Sequence, residues 1–70
     1  MIQQELQLLI HAGDRLTNAN VRQILQGLYN RYNIKRKAKA KDITLFGFVT
    51  KRAVISIDGK RNEGIRIIRG

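Results

Sequence analysis

Seventy residues allow one domain at most, and a chain this short buries only about 60% of the surface it exposes when unfolded. That leaves no room for both a core and an enclosed catalytic cavity, and the lack of cysteine removes disulfides and thiolate metal sites. With 43% hydrophobic residues, 27% charged residues and a formal net charge of +9, the composition is that of a basic globular chain rather than a disordered one.

The first predicted element is a helix over 2–11. Ile2, Leu6, Leu9 and Ile10 fall on one face, with Gln3, Gln4 and Gln7 opposite. The opening MIQQELQLLI has neither a basic flank nor a small-residue cleavage site, so it does not read as a signal peptide. No apolar run approaches the roughly 18 residues of a membrane span, and the expected setting is cytoplasmic with no membrane partner. Gly13 ends the helix and Asp14 offers a turn.

A second helix is predicted over 18–32, with Val21, Ile24, Leu25, Leu28 and Tyr32 at three- and four-residue spacing. Thr17 or Asn18 supplies the N-cap. Gly27 costs about 1 kcal/mol against Ala inside a helix. That cost suggests close approach of another element there. Asn33 is a reasonable stop.

The segment IKRKAKAKDITLFGF predicts a short helix within 39–47, with Ala40, Ile43, Leu45 and Phe46 inward and Gly47 at its end. The preceding IKRKA reads equally as an extended stretch. Residues 49–68 read as a β-hairpin whose alternation switches face near Ala53. Asp58-Gly59 is a turn signal, and Gly64 is a second flexible point. This reading puts Lys60, Arg61 and Asn62 at the loop tip. A lone hairpin is marginal in water. Val54, Ile55, Ile57, Ile65 and Ile67 are therefore expected to dock it on the helices.

The predicted class is α+β, with two to three helices followed by a basic β-hairpin. That is the order of a small winged helix-turn-helix, a single domain over 1–70.

The charge is unevenly spread. Within 1–30, Arg15 and Arg22 balance Glu5 and Asp14, whereas 31–70 hold the whole +9 excess. A pI near 11 marks a polyanion binder. The candidate site therefore has two parts. One is the segment Lys35, Arg36, Lys37, Lys39 and Lys41, with Lys37, Lys41 and Thr44 on one helical face that suits a major groove. The other is the hairpin: Lys51 and Arg52 on the first arm, Lys60, Arg61 and Asn62 at the tip, and Arg66 and Arg69 on the second arm. The lysines of the 35–41 segment are expected mostly to neutralise phosphates, which gives affinity without sequence information. Asn62, Arg61, Lys41 and Thr44 are the best base-reading candidates.

Tyr29, Tyr32, Phe46 and Phe48 fall beside the expected core, which favours packing over base stacking. Catalysis finds little support. His11 is the only histidine, the five carboxylates are scattered, and Gly59 and Gly64 do not form a phosphate loop before a helix. No enzyme activity, metal or cofactor is expected.

Residues 16–68 resemble the C-terminal winged-helix domain of primase-helicase and replication-initiator proteins of phages, plasmids and pathogenicity islands. The similar features are Lys-Ala-Lys-Ala-Lys-Asp-Ile at 37–43, Phe46-Gly47, and a strand followed by Gly59-Lys60-Arg61 and Gly64. In that family the domain follows a helicase core and engages double-stranded origin DNA. No ATPase motif is present here. The resemblance implies a DNA-engaging tail, with 39–47 as recognition element, 49–68 as wing, and oligomerisation through a parent helicase. RNA binding, including a ribosome-associated role, and protein interaction within a replication complex are the alternatives.

Overall fold

A computed structural model describes residues 1–70. Helix α1 spans Ile2–Leu9 and turns Ile2 and Leu6 inward. It stops short of residue 11 because Ile10 is already extended, at φ −126° and ψ 128°, while its N–H still bonds Leu6 O. Ile10 is buried from that extended position, and Leu9, expected inward, is exposed. Residues 11–14 then turn sharply. Asp14 Oδ2 accepts the His11 N–H at 2.8 Å, and Gly13 adopts φ 90°.

Strand β1, Arg15–Thr17, was not foreseen from the sequence. It leads directly into α2, Asn18–Arg31, whose Thr17 cap accepts the Asn20 N–H at 3.0 Å. Val21, Leu25, Leu28 and Tyr29 are buried, with Ile24 partly so. Tyr29 rather than Tyr32 takes the inward position. Tyr32 is the C-cap and lies 40% exposed. Asn33 follows at φ 58°. Its N–H bonds Asn30 O and the Ile34 N–H bonds Tyr29 O, a Schellman closure with asparagine in the left-handed position. Nothing lies close to Gly27, so the expected close approach is absent.

The short helix forms over Ala40–Phe46, but as a 3₁₀ helix closed by Gly47 at φ 90°. Three residues per turn put i and i+3 on one line. Ala40, Ile43 and Phe46 thus face the core, and Leu45, expected inward, is 66% exposed.

Strands β2, Val49–Ile57, and β3, Lys60–Arg69, form the hairpin. Its turn is only Asp58-Gly59, with φ 51° and 78°, the type I′ geometry that matches strand twist. Lys60, Arg61 and Asn62 are therefore not loop residues. They pair with Ile57, Ser56 and Ile55. The sheet is antiparallel in the order β1-β3-β2, so the last strand is the central one.

The hairpin docks by its base. Ile67 is fully buried, Phe48 is buried just before β2, and Ile65 packs at the core margin. Of the expected docking set, Val54 and Ile57 are exposed and Ile55 is only half-buried. Beyond Ala53 and Gly64 the two arms run past the helices. This overhang lengthens the molecule to 37 × 22 × 16 Å. The result is a small α+β domain with two α-helices, one 3₁₀ helix and a three-stranded antiparallel sheet. No helix is long and apolar enough to cross a membrane.

Candidate nucleic-acid interface

The geometry of the basic segment is set by one buried acid. Asp42 is 2% exposed and sits in the first turn of the 3₁₀ helix. Arg36 meets it through two donors, Nη2 to Oδ1 at 3.1 Å and Nε to Oδ2 at 3.3 Å. Oδ2 also accepts from the Lys39 N–H at 3.2 Å and the Tyr29 hydroxyl at 3.3 Å. Burial pushes the carboxyl upward, but the Lys39 amide, Arg36 and Tyr29 outweigh it and hold the group below its ordinary range. The Tyr29 hydroxyl is raised, first by burial and then by the Asp42 charge.

Gln26 ties the same loop from the other side. Its amide nitrogen donates to Arg36 O at 3.1 Å, and its carbonyl oxygen accepts the Ala38 N–H at 2.9 Å. The run 35–41 is thus tied to α2 at Arg36 and Ala38. Of the five cations proposed there, Arg36 is turned to an internal partner. Lys35, Lys37, Lys39 and Lys41 are exposed and have no acid within salt-bridge distance.

Lys41 and Thr44 share one line of the 3₁₀ helix, as three-residue spacing requires. The Thr44 hydroxyl donates to Lys41 O at 2.8 Å, and the side chain is exposed. Lys37 precedes the helix and lies beside α2 with Arg22 and Gln23 rather than on that line.

Strand alternation sorts the hairpin cations. Residues directly opposite one another share a face. Thr50 opposes buried Ile67, so the rows Arg52–Ile65, Val54–Glu63 and Ser56–Arg61 lie on the helix side. Lys51, Asn62 and Lys60 lie on the outer side. The expected tip cluster is therefore split, with Arg61 on the helix side and Lys60 and Asn62 on the other. Arg52 Nη2 reaches Glu63 at 3.6 Å, an exposed diagonal pair that water screens strongly.

A cleft of about 550 Å³ runs between these parts. Asn18 at the start of α2, Ala40, Lys41 and Thr44 form one wall, and Arg52, Val54 and Glu63 of the hairpin form the other. Asn18 was not foreseen as a cleft residue. Its signal was its place one residue after an N-cap, where free amides gather. Arg15 is a further surface cation, displayed by β1, a strand too short for alternation to reveal.

No protein-family model, curated protein or solved structure matches this chain.

Proposed function

We propose that this chain is a non-enzymatic duplex-DNA-binding domain of the winged helix-turn-helix type. The observation that carries the reading is the cleft. It sets the exposed Lys41–Thr44 line of the 3₁₀ helix beside an overhanging basic hairpin. The element order supports it too, with a short β1 between the first two helices pairing to the last strand. In this reading Lys41 and Thr44 enter the major groove. Arg52 and Arg61, on the same side of the hairpin, follow the adjacent backbone or minor groove, where arginine meets enhanced negative potential. Lys35, Lys37 and Lys39 neutralise flanking phosphates, and Arg36 shapes the segment instead of contacting DNA. The resemblance over 16–68 supports a role as the DNA-engaging tail of a mobile-element replication initiator or helicase.

The test is fluorescence anisotropy with labelled duplex DNA at several salt concentrations, with an RNA hairpin as competitor. Contact with about five to seven phosphates makes log K fall with log salt at a slope of about −5 to −6. That slope, with resistance to RNA, supports the reading. Flat, weak duplex binding or preferential release by RNA transfers the charge to another partner.

A further inference from the structure

The outer face of the sheet carries a second cationic surface that the cleft does not use. Arg15 of β1 directly opposes Arg66 of β3, and Arg66 directly opposes Lys51 of β2. Three cations thus stand in one row across three strands, spanning two strand spacings or about 10 Å. All three are exposed, and none has an acid within salt-bridge distance. Four of the five acids are occupied elsewhere: Glu5 pairs with Arg31, Asp42 is buried on Arg36, Glu63 lies on the helix side with Arg52, and Asp14 accepts the His11 N–H. The fifth, Asp58, sits in the exposed turn at the far end of the hairpin.

The row continues toward the tip on the same face. Thr17, Gly64 and Ala53 form a low step of small side chains, followed by Asn62 beside Ile55 and Lys60 beside Ile57. Protection of sheet edges explains lysine on outer strands. It does not explain Arg66, which is paired on both sides in the central strand. Like charges placed directly opposite repel, so a row without acids is unfavourable until a polyanion covers it.

We propose that this outer face is a second phosphate-backbone site, and that the domain holds two DNA duplexes at once. The two surfaces lie on opposite sides of a single sheet layer, so one straight duplex cannot cover both. This inference extends the cleft reading and stands on different residues.

The test is a bridging assay. Bead-bound unlabelled duplex is mixed with free fluorescent duplex and the protein, and captured fluorescence is measured. A parallel anisotropy titration reads single-duplex affinity. The variant Arg15→Gln/Lys51→Gln/Arg66→Gln removes the row and relieves its repulsion, so its thermal melt should be no lower than that of the native chain. The expected result is capture by the native protein and at least a tenfold loss with the triple variant. Single-duplex affinity should change by less than about threefold. Lys41→Ala/Arg61→Ala should instead weaken both readouts. Capture that survives the triple variant, as bridging through protein dimers would, overturns the proposal. So does a native protein that binds one duplex tightly and captures no second. If the native protein binds no duplex in either assay, the cleft reading falls with it, which separates that failure from loss of the outer site alone.

Discussion

The basic segment before the 3₁₀ helix and the basic hairpin carry similar charge, but the fold treats them differently. In the segment, one acid is buried and recruits Arg36, so a cation becomes scaffold and four lysines are left free. In the hairpin no acid is buried, and alternation alone distributes the cations between two faces. Charge density in a sequence therefore does not distinguish scaffold from contact residues. A single acid within a basic run does, because its burial demands a partner.

The sharpest way to break this contrast is Asp42→Ala. It leaves the buried Tyr29 hydroxyl without its acceptor and removes the cap on the Lys39 amide. The expected loss is about 3 kcal/mol, or roughly 12–24 °C in Tm by calorimetry. Half-exposed Arg36 can turn to water, which keeps the cost below that of a stranded buried ion. A native-like melt would show that Asp42 does not organise the segment.

The same carboxyl gives a pH signature. It titrates below its ordinary 3.8 in the folded chain, so its stabilisation is complete above pH 3.8 and is lost as pH falls below that value. Asp42→Asn should lack this part of the acid transition, which circular dichroism across pH 2–5 (an experimental range of about three units around the carboxyl range) can follow.

Gly64→Ala tests where the hairpin joins the body. A Cβ there meets Leu16 O and comes within 2.7 Å of Ile55 Cγ1. Backbone cannot yield as a side chain does, so a cost of about 2 kcal/mol is expected, measured by urea unfolding. An unchanged midpoint would mean that β1 is only loosely held.

Lys41→Ala/Arg61→Ala should leave the melt unchanged and reduce the salt slope of duplex binding by about 1.8, the share of two phosphates. The smallest effect is expected for Val54→Thr on the overhang. Val54 is 58% exposed, so the stability change should stay within about 0.5 kcal/mol. A larger loss would mean that the hairpin docks further along its length.

Much of the architecture was legible in the chain. The helices over 18–31 and 2–9 follow from apolar spacing, and Asp58-Gly59 marks the turn. Other features were hidden for physical reasons. Strand β1 has three residues, too few for alternation to register, and its partner lies some fifty residues away in β3. Asn62 and Gly64, turn formers by type, suggest a longer tip than the fold has. In fact a two-residue type I′ turn suffices, and both residues sit in a paired strand. The inward placing of Leu45 assumed a turn of 3.6 residues, whereas a 3₁₀ helix repeats every three. At the site, the exposed lysines were readable from composition. The withdrawal of Arg36 and the division of Lys60 from Arg61 needed the partner strand and the buried acid to be placed first.

The central position of β3 has a consequence for synthesis on the ribosome. Every strand pairing and the buried Ile67 depend on residues 60–69, while β1 and both α-helices are made much earlier. Pairing Arg15 with Arg66 closes a loop of about fifty residues, which raises contact order and slows folding relative to a helical chain of this length. Neither β1 nor β2 has another strand to pair with, so no part of the sheet can form before residues 60–69 are made.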